Sequence, residues 1–164
     1  PVDLPALVED ILISLKHLPR AKDLDIQTDI PFTEAVVTDR NLLTSILQNL
    51  ILNSINYHRP EGDSRWVRVR AKQQDGQLSI EVADNGQGIA PHVQERVFEM
   101  FFRGDKTSKG SGLGLYIVKK SLEKLGGRID LDSTPGEGTC FTLTLPLEPS
   151  LSPESREVAG YHGS

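Results

Sequence analysis

Apolar residues at Leu4, Leu7, Val8, Ile11, Leu12 and Leu15 recur at helical spacing, which predicts an amphipathic helix from Leu4 to about Leu18, stopped by Pro19. Two short extended runs follow, Asp25 to Ile30 and Ala35 to Thr38, with Pro31 between them, and these predict a hairpin. Asp39 then caps a longer helix through Tyr57, whose apolar stripe is Leu42, Leu43, Ile46, Leu47, Leu50, Ile51 and Ile55. The period falls to two over Arg65 to Lys72, where Val67, Val69 and Ala71 share one side. Asp75-Gly76 turns that strand into an antiparallel partner carrying Leu78, Ile80 and Val82 on one face. Pro91 suits the first turn of a short helix to about Met100. A polar loop from Arg103 to Ser111 then enters a helix ended by Gly126-Gly127, with Leu113, Ile117, Val118, Leu122 and Leu125 on its apolar face. Strands Arg128 to Ser133 and Thr139 to Leu145 close the pattern, with Thr139, Phe141, Leu143 and Leu145 in phase. Helices interspersed with mostly hairpin-connected strands predict an α+β two-layer sandwich: a mixed, mainly antiparallel sheet covered on one face by helices.

Composition narrows the picture without assigning chemistry. A length of 164 residues with 37% hydrophobic content supports one core and no second large domain. The net charge of −5 arises from mixed acidic and basic residues, so neither nucleic acid nor an anionic membrane is an expected partner. No apolar run is long enough to span a bilayer, and the first residue is Pro1. The chain therefore reads as a cytoplasmic segment of a longer protein, whose membrane attachment, if it has one, lies outside this segment. A single cysteine, Cys140, excludes a disulfide framework and agrees with a reducing compartment. The expected division is a connector and first helix over 1–18, a main domain over 19–147, and a loose tail rich in Pro, Ser, Gly and Glu over 148–164.

Candidate chemistry sits in three short stretches. In LSIEVAD, Asp84 follows Leu78, Ile80 and Val82 on the same strand face, so a carboxylate points toward the core. Burying it without partners costs at least several kcal/mol, so either the strand frays into a turn by residue 84 or something donates hydrogen bonds to it. The glycines of DNGQGI, Gly86 and Gly88, permit positive φ and close approach of a ligand to the backbone. On the long helix, Asn49, Asn53 and Tyr57 are successive i, i+4 neighbours that place two amides and a phenol on one ridge. Taken alone, that ridge reads first as solvated surface. In KGSGLGLYIVKK, Gly110, Gly112 and Gly114 open a helix whose backbone N–H groups suit an anion, although no P-loop or dinucleotide fingerprint is present.

In this order, the stretches resemble the ATP-binding catalytic domain of sensor histidine kinases, a branch of the GHKL ATPase superfamily. NLILNSINY is similar to that family's N box, DNGQGI to its G1 box, VFEMFFRG to its F box, GSGLGL to its G2 box, and GEGTCF to the small-residue turn before its last strand. The resemblance implies a nucleotide site under a flexible ATP lid, with ATP and Mg²⁺ as ligands. Asp84 would accept from the adenine amino group, Thr139 would hold its carboxylate or a bridging water, and Tyr57 would lie against the adenine face. Asn53 would bind Mg²⁺, and Asn49 would support the phosphate side. Gly86, Gly88 and Ile89 would shape the pocket, while Gly110, Gly112, Leu113 and Gly114 would form the lid's mouth. Arg103, Lys106 and Lys109 are the charges offered to the phosphates, with a solvated loop an equal reading. Phe98, Phe101 and Phe102 would anchor the lid's base by burial.

The implied reaction is transfer of the ATP γ-phosphoryl group to a histidine on a separate dimerisation domain of the same protein, with a response regulator downstream. None of the four histidines has the acceptor pattern of a following Asp or Glu and a proline soon after, so this chain alone is not expected to phosphorylate itself. Water-activating relatives place a glutamate one turn before the magnesium asparagine; here Asn49 stands there, and an amide takes no proton. An anti-sigma-factor type serine kinase and a degenerate nucleotide-binding docking module are the remaining alternatives. The second draws on a departure: Asn56 occupies the place where the N box commonly has a basic residue. His58 and Arg59 lie close behind as substitutes, with a surface role an equal reading.

Overall fold

In a computed structural model of the chain, residues 1–32, 34–56, 58, 64–99 and 114–147 are described. The first helix, α1 (Leu4–Leu15), is capped by the Asp3 side chain, which accepts from the Ala6 N–H at 3.1 Å. It ends before the expected Leu18, because Pro19 opens a separate short 3-10 turn over Pro19–Ala21. Strand β1 spans Asp25–Asp29, and helix α2 spans Arg40–Asn56 with the Asp39 carboxylate accepting from the Leu42 N–H at 3.0 Å, the expected cap. Strands β2 (Trp66–Gln74) and β3 (Gln77–Asp84) form the expected hairpin. Its turn residues Asp75 and Gly76 both have positive φ, 53° and 74°, as a tight two-residue turn between twisted strands requires. A short helix α3 (Pro91–Gln94), helix α4 (Gly114–Lys124), and the hairpin of β4 (Arg128–Thr134) and β5 (Gly138–Pro146) complete the order. Helix α3 stops well short of Met100.

The five strands form one sheet in the order β1-β2-β3-β5-β4, antiparallel throughout except between β1 and β2. That parallel pair overturns the expected hairpin of Asp25 to Ile30 with Ala35 to Thr38. Ile26 and Thr28 stand opposite Val67 and Val69, and α2 supplies the long crossover that parallel neighbours need. Of the second run only Val36 pairs, in an isolated antiparallel bridge that fastens Val2 just ahead of α1.

One face of the sheet is apolar. Val67 and Val69, Leu78, Ile80 and Val82, and Phe141, Leu143 and Leu145 are buried against α1, α2 and α4, each large side chain contributing about 1.5–3 kcal/mol of hydrophobic free energy. The intervening residues, such as Arg70 and Lys72, point to the open face. On α4 the buried stripe is Val118, Ser121 and Leu122, with Leu115 and Leu125 packed beside it. Ile117, expected in that stripe, is instead exposed, since it lies one residue off the 115, 118, 122, 125 row. Phe98 reaches the core edge-on to the Phe141 ring, with centroids 6.3 Å apart.

Candidate functional site

Strand β3 does not fray before its last residue. Asp84 keeps its place in the ladder between Val67 of β2 and Thr139 of β5, so its side chain continues the inward row of Leu78, Ile80 and Val82. The carboxylate is partnered immediately after the strand, where the Gly86 N–H donates to Oδ1 at 2.9 Å. Burial still dominates and raises its pKa above the ordinary 3.8, against the lowering effects of the Gly86 N–H, the nearby His58, the Ser54 hydroxyl and the Thr139 backbone N–H. Ser54 lies in the apolar stripe of α2, three residues after Ile51 and four after Leu50, and is buried with them. Its hydroxyl approaches Asp84 without reaching hydrogen-bond geometry and has no hydrogen-bond partner among the described residues.

The loop after Asp84 is fastened to the β4–β5 hairpin. The Gly136 N–H donates to the Gln87 carbonyl at 2.8 Å, and the Ile89 N–H donates to Ser133 Oγ at 2.8 Å. Ser133 Oγ donates in turn to the Gly138 carbonyl at 2.9 Å, which leaves the Thr139 hydroxyl, at 2.8 Å, as the donor to Ser133. The Gln94 side chain closes the loop's end by donating to the Ile89 carbonyl at 2.8 Å and the Ser133 carbonyl at 3.1 Å. Gly88 has φ 74°, and a Cβ there would stand 2.3 Å from the Thr134 carbonyl oxygen, so this crossing admits only glycine. Gly86 keeps ordinary φ but leaves the space its carboxylate neighbour needs: an added Cβ would lie 2.9 Å from Asp84 Oδ1.

Of the sequence-predicted residues, Asp84, Gly86, Gly88, Ile89 and Thr139 converge at this end of the sheet. Thr139 stands beside Asp84 as expected, but its hydroxyl is bonded to Ser133, and it is the backbone N–H that acts on the carboxylate. Asn49 and Asn53 are half-buried on α2. The Asn49 amide nitrogen donates to the Ser45 carbonyl at 2.7 Å, while its oxygen faces Gly114, where an added Cβ would be 3.4 Å away. Asn49 thus meets the first turn of α4, which joins the N-box ridge to the end of the glycine-rich stretch. The Asn53 side chain makes no hydrogen bond with the described residues, so its amide oxygen is available to a cation. Tyr57, Arg103, Lys106, Lys109, Gly110, Gly112 and Leu113 lie outside the described residues, as do Phe101, Phe102 and Arg59.

Several residues here escaped the sequence reading. Ser54 carried a usable signal, a hydroxyl at a stripe position, whereas Ser133 and Gln94 carried none, because the bonds that tie them into the site, Ile89 N–H to Ser133 and Gln94 to the Ser133 carbonyl, span 44 and 39 residues. His58 is 4% exposed, which rules out the surface role that was one of its two expected readings. Its Nε2 lies 3.0 Å from the Trp66 carbonyl oxygen and 3.1 Å from Asn85 Oδ1. No helix among the described residues is long and apolar enough to cross a membrane. Nor is any group of three or more His, Cys, Asp or Glu side chains among them arranged to hold a metal ion.

The family described as histidine kinase-, DNA gyrase B-, and HSP90-like ATPase matches residues 38–149. The chain is 41% identical over 149 residues to the sensor-like histidine kinase SenX3 of Mycobacterium tuberculosis, covering 88% of this chain and 36% of that protein. It thus spans little more than a third of that relative's length. Among solved structures, a mycobacterial sensor histidine kinase MprB matches with TM-score 0.75 and 30% identity, over 90% of this chain and 97% of that one. Full-length ShkA in complex with AMPPNP matches with TM-score 0.78 and 30% identity, over 93% of this chain and 32% of that one.

Proposed function

The chain belongs to the histidine kinase-, DNA gyrase B-, and HSP90-like ATPase family, and on that premise we propose that it is the ATP-binding catalytic domain of a two-component sensor histidine kinase. The similarity to SenX3, MprB and ShkA supports the kinase branch. The acceptor histidine would belong to a dimerisation domain of the same protein, and a response regulator would take the phosphoryl group onward. The domain itself would work on the cytoplasmic side, without contacting nucleic acid or lipid.

The observation that carries this reading is the state of Asp84. Its Oδ1 is committed to the Gly86 N–H, the group is buried enough to raise its pKa, and the buried Ser54 hydroxyl beside it has no hydrogen-bond partner among the described residues. A half-buried carboxylate next to an unsatisfied hydroxyl is costly unless a ligand completes the set, and an amino-bearing heterocycle such as adenine does so. Asp84 then accepts from the adenine amino group, and the Gly86 N–H on Asp84 opposes the effect of burial by favouring the ionised form.

At the phosphate end, Asn53 offers an amide oxygen uncommitted among the described residues, one helical turn from Asn49. With no acidic cluster nearby among the described residues, a divalent ion at Asn53 would draw its remaining ligands from phosphates and water, the usual habit of Mg²⁺. Bound there, Mg²⁺ would supply neutralisation of the β- and γ-phosphate charge. Asn49, an amide directed at Gly114, cannot accept a proton from water, which favours transfer to a protein nucleophile over hydrolysis. Arg103, Lys106 and Lys109 are the proposed phosphate-side cations, and Tyr57 the proposed adenine-face aromatic.

Calorimetric titration with ATP, with and without Mg²⁺, tests this on the wild-type chain and Asn53→Ala. The expected result is ATP binding by both, strengthened by Mg²⁺ only in the wild type. A wild-type chain that binds no nucleotide would overturn the assignment.

A further inference from the structure

His58 is buried where three separated segments meet, and its Nε2 lies within hydrogen-bond distance of the Trp66 carbonyl oxygen and of Asn85 Oδ1. The Asn85 side chain is oriented by its own bonds: Oδ1 accepts the Trp66 N–H at 2.8 Å, and Nδ2 donates to the Ser64 carbonyl at 2.7 Å. Both atoms facing His58 Nε2, the Trp66 carbonyl oxygen and Asn85 Oδ1, are therefore acceptors. The imidazole must carry hydrogen on Nε2 and share it between them. The Asn85 N–H also reaches the Trp66 carbonyl, at 3.4 Å, so one carbonyl holds the loop by its backbone and, through His58, by its side chain. The same ring backs the turn after Asp84: a Cβ on Gly86 would lie 3.2 Å from His58 Cα and 3.4 Å from its Cγ.

We propose that His58 is a positioning residue for adenine recognition, whose Nε2–H locks Asn85 to the start of β2 and thereby fixes the turn that aims the Asp84 carboxylate. This rests on the nucleotide-site reading above. The Gly86 N–H that holds Asp84 Oδ1 is the residue directly after Asn85, so a loosened Asn85 releases the donor that orients the carboxylate. The effect falls on selection of the base rather than on the phosphates, because the described contacts of Asn49 and Asn53 include neither His58 nor Asn85.

The test uses the wild-type chain with His58→Ala, His58→Gln and His58→Asn. A glutamine amide nitrogen stands where the imidazole Nε2 does, whereas an asparagine stops one bond short. Binding of ATP and GTP is measured by calorimetry, alongside the thermal midpoint of each variant. Loss of one buried hydrogen-bond donor is expected to weaken ATP about tenfold in His58→Ala and His58→Asn, with GTP little changed, so that base discrimination falls by about the same factor. His58→Gln is expected to recover most of it. A uniform loss of both nucleotides that tracks the thermal midpoint, or unchanged discrimination in His58→Ala, would overturn the positioning role while leaving the nucleotide site intact. Absence of nucleotide binding in the wild type would instead sink the underlying reading and this inference with it. Long-range ¹H–¹⁵N spectra of the imidazole give a check that needs no nucleotide: the Nε2–H tautomer is expected, and Nδ1–H alone would refute the geometry.

Discussion

Replacing Asp84 by Asn separates the ligand role of the carboxylate from its structural one. The variant keeps size and shape, and the Gly86 N–H still demands an acceptor 2.9 Å away, so the amide oxygen takes the Oδ1 position. The NH₂ group is thereby forced to where adenine would present its own amino group, donor against donor. The lost charge-assisted bond is worth about 1.5–3 kcal/mol, and the facing donors left unpaired cost about 1–3 kcal/mol more. Together these predict a dissociation constant for ATP raised about a hundredfold to ten-thousandfold. Stability should move the other way. Because burial raises the folded-state pKa of Asp84, its protonated form is favoured by folding, and that stabilisation is lost as pH rises through the raised value. At neutral pH the wild type bears the cost of a half-buried ionised carboxylate, and Asp84→Asn does not. Its thermal midpoint at pH 7 should equal or exceed the wild-type value, with the gap closing as pH falls toward 3.8. Calorimetry with ATP and a thermal melt across pH check both halves. ATP affinity within about threefold of wild type, less than 1 kcal/mol, would refute the adenine role; a midpoint several degrees lower would show the carboxylate to be a structural anchor.

The same shift gives wild-type ATP binding an acid limb: affinity should fall as pH drops through the raised Asp84 pKa, beginning above 3.8, while Asp84→Asn shows no such limb in isothermal titrations. Gly88→Ala places a methyl 2.3 Å from the Thr134 carbonyl oxygen at φ 74°, so it should cost more than about 1 kcal/mol in denaturant unfolding and weaken ATP as the loop shifts. Asp39→Ala removes the cap of α2 and should lower stability by about 1 kcal/mol, roughly 2–4 °C in Tm, with ATP affinity unchanged because the cap lies at the opposite end of the helix from Asn53. A loss of binding in that variant would mean that the helix transmits its N-terminal state to the site.

Periodicity and punctuation along the chain were enough to locate the helices, the β2–β3 and β4–β5 hairpins, the Asp39 cap and the inward direction of Asp84. These are local properties: a two- or 3.6-residue repeat, a turn dipeptide and a capping side chain each act within a few residues. The three glycine- and asparagine-bearing stretches, taken in order, were also enough to indicate the family. What tertiary structure alone decided is non-local. The partner of β1 is β2, some forty residues on, because the parallel register sets Ile26 beside the buried Val67 and against the core, which a nearby run of four residues could not offer. Ser133, Gln94 and His58 serve the candidate site through bonds to the Asp84–Ile89 loop across distances of five to 44 residues, and no spacing rule encodes such pairs. The fate of the Asp84 carboxylate shows the boundary most clearly. Sequence parity pointed it inward, but only the closed sheet end set its partners and its burial, since both depend on which backbone donors and side chains the fold brings around it.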